Sequence, residues 1–221
     1  MLEERMTKLR ETLVEYAALI ERMLENSVGG LIKKRKDLLD ATIERDEPAA
    51  NDFEIRIDEL SAELIAQYAP KAKNLRAILM VMKMGNDLER MGDHAVNIAE
   101  SGIYLIERPM VKPLIDIPRM SEVAIGMLRD SVRAFIDEDA GLARSVCKRD
   151  ETVDGLRDQI LRELITFMVS DPTTIERSFH LIRVSSSLER VADLSTNICE
   201  DVIFMVKGEV IKHHHDEESA D

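Results

Sequence analysis

Apolar residues recur along this chain at intervals of three and four and almost nowhere alternate, a helical rather than a strand pattern. The clearest runs are Val81, Met84, Leu88, Met91, Ala95, Ile98 and Leu105, and then Leu181, Val184, Leu188, Val191, Ile198, Val202 and Met205, with Ser195 the one polar interruption. This is a bundle-type seam. Upstream of each run lie two further helical stretches, over residues 2–36 and 37–69 in the first half and 119–136 and 137–169 in the second. Pro70 and Pro172 each precede a seam helix and can start it. Pro48, inside the second stretch, predicts a kink or a late start there. Pro109, Pro113 and Pro118 would break any helix. The pattern therefore predicts an all-α chain of two tandem, pseudo-symmetric three-helix bundles. They occupy residues 1–108 and 119–212, joined by a proline-rich linker at 109–118 and followed by a tail at 213–221.

The two halves repeat each other. Residues 88–100 read LERMGDHAVNIAE and residues 188–200 read LERVADLSTNICE, with seven of 13 positions identical, where chance gives about one. At ~100° per residue, Glu89, Asp93, Asn97 and Glu100 fall within about 80° of arc, away from the seam. Glu189, Asp193, Asn197 and Glu200 repeat the stripe. Its predicted place is the bundle surface. A solvated helix face explains any one of these carboxylates, but solvation does not require the same polar types at the same spacing twice.

Each second helix offers an acidic partner stretch: Glu47-xxx-Asn51 followed by Asp52 and Glu54 in the first unit, and Asp150-xxx-Asp154 in the second. Residues four apart share a helix side. An antiparallel bundle can therefore bring such a pair against Glu89 and Asp93, or Glu189 and Asp193. Converging carboxylates repel unless a cation lies between them, and hard oxygen donors suit Mg, Ca, Mn or iron. Arg90 and Arg190 can neutralise the same acids without a metal. A metal site and a salt-bridged patch both remain open on spacing alone.

Composition narrows the function further. A formal net charge of −13 opposes nucleic-acid binding, which needs clustered Lys and Arg, and suits a cation or a basic partner surface. Cys147 and Cys199, the only cysteines, lie far apart in sequence and read as two inert thiols in a reducing cytosol. The mixed-charge N-terminus lacks a signal-peptide core, and no apolar run is long enough to span a bilayer. A cytoplasmic location follows, peripheral to a membrane only through partners. An enzyme is not expected. Carboxylate di-iron bundles use Glu-x-x-His on core-facing positions, whereas His94 falls five residues after Glu89 and has Leu194 as its counterpart. Ser185–Ser187 form no nucleophile elbow. Val28-Gly29-Gly30 lacks the spacing of a phosphate-cradling loop, so direct phosphate sensing is not expected.

The duplicated L-E-R-[hydrophobic]-[GA]-D-x-x-x-N-I resembles the signature of the PhoU family of bacterial phosphate-signalling proteins. The likeness runs from MTKLRETLVEYAALIERMLENSV to the KGEVIKHHH tail and includes AP-KAKNLR before the first seam helix. The resemblance implies two three-helix bundles and surface E/D-xxx-D motifs that hold metal ions, in some relatives multinuclear iron clusters. It implies negative regulation of phosphate uptake and of the phosphate-starvation response, as an adaptor between a phosphate ABC transporter ATPase and a sensor histidine kinase, with self-association as a homodimer. Carried over by motif, the metal residues are Glu47, Asn51, Glu89, Asp93 and Asn97, and then Asp150, Asp154, Glu189, Asp193 and Asn197. Mg, Mn, Ca and Zn are the other ions to consider. Asn51 departs from the motif by replacing a carboxylate with an amide, which favours the second unit as the stronger site. Asn74 also stands where the family usually has Asp. His213, His214 and His215 read as part of a native tail, since consecutive helical histidines cannot all reach one ion. The rival reading is a metal-independent scaffold whose acidic stripes bind basic partner residues.

Overall fold

A computed structural model describes residues 2–207 of the chain. It is all-α, with no strand among the described residues. The first unit consists of α1 (Leu2–Lys33), α2 (Lys36–Ala41), a π-helical turn (Thr42–Asp46), α3 (Glu47–Tyr68) and α4 (Lys73–Ile106). The second consists of α5 (Asp116–Ile136), α6 (Ala140–Cys147), α7 (Asp150–Ser170), a 3-10 turn (Pro172–Thr174) and α8 (Ile175–Lys207). The His213–His215 run lies outside the described residues.

The first unit breaks where Pro48 predicts, and two other places differ from the sequence pattern, each for a local reason. The middle helix of each unit is interrupted. In the first unit the π turn sits directly before Pro48, whose missing N–H and ring crowd the preceding turn of a regular helix. In the second unit the break lies between Cys147 and Asp150, and Asp139 caps the short α6 by accepting from the N–H groups of Gly141 and Leu142 at 2.8 and 3.0 Å. Pro118 does not end the linker. It lies in the first turn of α5, where an amide hydrogen has no helical partner anyway.

α1 and α4 pack along their length in the first unit, α5 and α8 do the same in the second, and α3 and α7 close the two sides. Ser27, fully buried in α1, has its Oγ 2.8 Å from the Ala95 carbonyl of α4. At the far end of the unit, α2 is drawn down by Leu39, which fills the space over two glycines. A Cβ on Gly30 would sit 2.5 Å from Leu39 Cδ2, and one on Gly102 3.1 Å from Leu39 Cδ1.

The units are not separate bodies. α4 and α8 lie antiparallel against each other, and the buried apolar residues of both units form one continuous core. Polar contacts mark the seam from end to end: Lys83 Nζ to Asp201 Oδ2 at 2.5 Å, Arg183 to Glu100 at 3.0 Å, and the Tyr104 and His180 rings stacked at 3.9 Å. Arg108 covers the other side of Tyr104, 3.5 Å from the ring centre. The two repeated helices are thus the middle layer of the molecule, and each carries its acidic stripe along an edge of that layer.

Candidate functional site: two acidic faces of unequal charge

The stripe predicted for α4 divides in two. Glu89 and Asp93 turn toward α3, where the α3 acid that acts on Glu89 is Glu54. Asn97 and Glu100 instead meet Arg183 of α8, whose guanidinium donates to both. Glu89 and Asn97 are half-buried and Asp93 and Glu100 exposed, so the stripe lies at the margin of the packing rather than wholly in solvent. Glu47 is half-buried near the π turn and Asn51 is exposed, and neither acts on Glu89 as Glu54 does. Burial, the charge of Asp93 and the charge of Glu54 push the Glu89 carboxyl above its ordinary range, with Arg90 opposing them.

Beneath this group lies Tyr16 of α1. It is fully buried, its ring stacks on Phe53 at 5.5 Å and 7°, and its hydroxyl has no hydrogen-bond partner. Burial first, and then the charges of Glu54, Glu89 and Asp93, hold the phenol firmly protonated. An unpartnered buried hydroxyl beside three carboxylates is an unsettled arrangement, because both the desolvated O–H and the mutual repulsion carry a cost.

The second unit has the same frame with a different charge. The buried positions Ala50 and Ile57 of α3 match Val153 and Ile160 of α7. By that register Asn51 corresponds to Asp154 and Glu54 to Arg157. Arg157 Nη1 lies 3.3 Å from Glu189 Oε1, and Arg190 Nη1 lies 3.0 Å from Asp193 Oδ2. Asp154 adds its charge to both acids of α8. Burial still raises Glu189 and Asp193, but two guanidinium groups now oppose it. Tyr16 is replaced as well: the pairing of Ser27 with Ser131 sets Met120, fully buried, at its place.

A second inversion lies about two turns away. Asp46, with its side chain only 2% exposed, is bound by Arg22 at 3.3 Å and Arg45 at 3.0 Å. The matching residue in the second unit is Arg149, which crosses Gly126, the counterpart of Arg22, to reach Asp130 at 2.6 Å. At two positions, then, the first unit presents a carboxylate where the second presents a guanidinium.

Among the described residues no three His, Cys, Asp or Glu side chains are gathered tightly enough to hold a metal ion as they stand. The donor set of the first face is all oxygen and fits a hard cation, which Glu54, Glu89 and Asp93 can reach only by rotamer adjustment. Asp150 sits at the start of α7 near Cys147 rather than beside Glu189, and Asn197 is exposed. Sequence reasoning missed Arg157 and Tyr16. The register of buried positions between α3 and α7 was the available signal for Arg157, whereas nothing in the sequence set Tyr16 apart from other core aromatics. His94 lies between the units, half-buried with Nδ1 unpartnered, and burial holds its imidazole below the ordinary range.

Two fused three-helix units with one core, an acidic margin on the last helix of each and no helix long and apolar enough to cross a membrane define a tandem-repeat helical-bundle protein. The model of the PhoU domain matches twice, at residues 13–102 and 117–202. The chain belongs to the PhoU family. It is 37% identical over 212 residues to the phosphate-specific transport system accessory protein PhoU homolog of Aquifex aeolicus, covering 96% of each chain. It is 30% identical over 217 residues to PhoU homolog 2 of Thermotoga maritima, covering 98% of this chain and 92% of that protein. The crystal structure of PhoU from Pseudomonas aeruginosa superposes with a TM-score of 0.91 at 32% identity, over 95% of this chain and all of that one. That of the regulatory protein PhoU from Streptococcus pneumoniae gives 0.88 at 26% identity over 96% of this chain.

Proposed function

We propose that this protein is an accessory regulator of phosphate uptake that acts by binding rather than by catalysis. In this reading it is a cytoplasmic negative regulator linking a phosphate ABC transporter ATPase to a sensor histidine kinase, and it self-associates as a homodimer. Its relatives are named as phosphate-specific transport system accessory proteins, and the acidic margins of α4 and α8 are surfaces on which such partners can dock.

One observation carries the site assignment: the same frame is closed by Arg157 in the second unit and left as Glu54, Glu89 and Asp93 over an unpartnered Tyr16 hydroxyl in the first. The first face therefore takes a hard cation, such as Mg, Mn, Ca or iron, held by these three carboxylates. The ion relieves their repulsion and offers the partner a neutral surface. The second face already sets two guanidinium groups against Glu189, Asp193 and Asp154 and needs none. This reverses the ranking that the Asn51 substitution suggested.

The test is a pull-down of the transporter ATPase and the kinase with and without chelator, beside elemental analysis of the purified protein. The expected result is about one metal equivalent per chain, removed together with partner binding by Glu89→Gln plus Asp93→Asn. Metal-free protein that binds partners undiminished, in a salt-sensitive manner, would instead assign the face to a basic partner segment. The Arg157–Glu189 contact shows that a guanidinium fits this frame.

A further inference from the structure

The chain has two cysteines, Cys147 and Cys199, in helices that the sequence gives no reason to connect. The fold brings them together. Cys147 is the last residue of α6, Cys199 lies in the C-terminal third of α8, and α6 packs directly on α8. The two thiols are neighbours across that packing, each acting on the other's ionisation. Their surroundings are unequal: Cys147 is half-buried, with Glu200 and Asp150 nearby, whereas Cys199 is fully buried, with Arg149 and Asp130 beyond it.

We propose that Cys147 and Cys199 form a peroxide-oxidisable dithiol, with Cys147 as the attacking thiol and Cys199 as the resolving one. The division of labour follows from exposure. A hydroperoxide reaches only a sulfur that touches solvent, and a resolving thiol must already lie against the attacked one. Hydrogen bonding with Cys199 lowers the Cys147 thiol from its ordinary value, and the same contact, reinforced by burial, raises Cys199.

In the first step the Cys147 thiolate attacks one oxygen of hydrogen peroxide. The O–O bond breaks, the sulfur becomes a sulfenic acid, and the leaving hydroxide takes a proton and departs as water. In the second step the Cys199 sulfur attacks the Cys147 sulfur and the S–S bond forms. The S–O bond breaks, and the departing hydroxide carries off the Cys199 proton as a second water. The two sulfurs together lose two electrons, which the peroxide oxygens accept. A thiol such as glutathione reverses the reaction by disulfide exchange.

The product ties α6 to α8 beside Glu200 and at the corner where α7 begins with Asp150. Oxidation therefore changes the second unit and leaves the carboxylate face of the first unit as it is. This assignment does not depend on the proposed function.

The test uses the full chain, reduced and then treated with hydrogen peroxide at low molar excess, with non-reducing peptide mapping by mass spectrometry. Wild type is expected to yield an intramolecular Cys147–Cys199 peptide pair that glutathione releases. Cys199→Ser is expected to accumulate a sulfenic acid at position 147 that dimedone traps. Cys147→Ser is expected to react at least tenfold more slowly than either. Circular dichroism of both variants establishes that they fold. Only intermolecular disulfides, or sulfinic acid at Cys147 of wild type without the cross-link, would overturn the proposal, as would faster reaction at Cys199 than at Cys147.

Discussion

Asp87 lies in α4 against α8, 7% exposed, with one carboxylate oxygen lacking any hydrogen-bond partner. Burial, with a contribution from Asp201, pushes its pKa from 3.8 up to about 6, against the pull of Lys83 and Arg90. A native pKa above the unfolded one means that the folded state holds the proton more tightly. Stability contributed by the neutral form is complete below the unfolded pKa and is lost as pH rises toward the folded one. The shift corresponds to about 3 kcal/mol at most, and residual solvent around the carboxyl lowers the expected figure to ~2 kcal/mol. The perturbation is Asp87→Asn, which keeps the shape and cannot ionise. The second unit already carries a neutral residue here, Ser187, buried to 4% exposure. Urea unfolding of both proteins in chelator, at several pH values, gives a difference curve in which the other carboxylates cancel. The variant is expected to match wild type near pH 4 and to become more stable by ~2 kcal/mol above pH 7, with the rise between the two pKa values. A flat difference curve, or a variant less stable than wild type at neutral pH, would refute the reasoning, since either result means that the charged form is the better accommodated one.

Removing the internal cation by Arg157→Gln leaves Glu189, Asp193 and Asp154 without it, so titration calorimetry with Mn is expected to show a second binding event absent from wild type. Tyr16→Phe deletes a hydroxyl that has no partner, and the change in unfolding free energy is expected to fall between zero and about 1 kcal/mol of stabilisation. Gly30→Ala drives a methyl into Leu39, 2.5 Å from Cδ2. Overpacking of about 1–3 kcal/mol exceeds the ~1 kcal/mol gained in helix propensity, and thermal unfolding should report net destabilisation.

The helices and the duplication were legible because both depend on residues that repeat. The seam from Val81 to Leu105 and its partner from Leu181 to Met205 are periodic, and every member but Leu105 and Met205 is buried. Pro48 marked the interruption before Glu47, but the one before Asp150 was harder to see, because a two-residue break shifts the apolar phase by less than the pattern resolves. The site was half legible. Glu89 and Asp93 are marked by repetition, but their neighbour from α3 depends on the relative slide of two helices, which motif spacing within one helix does not encode. Glu47-xxx-Asn51 has the right spacing at the wrong height, and Glu54 stands two turns further along. Arg157 was missed for a related reason: a search for matching acids does not look for a position at which the copies carry opposite signs. The contact between Cys147 and Cys199 joins residues that share no local pattern.

The shared core of α4 and α8 has a consequence for how the molecule can be oriented. In outline the protein looks nearly the same after half a turn, so shape alone gives a partner two almost equivalent ways to approach. The swaps of Glu54 for Arg157 and Asp46 for Arg149 remove that ambiguity, because they make one flank electrically unlike the other. The duplicated gene product thereby acquires a head and a tail, and two different proteins can each be assigned an end of it.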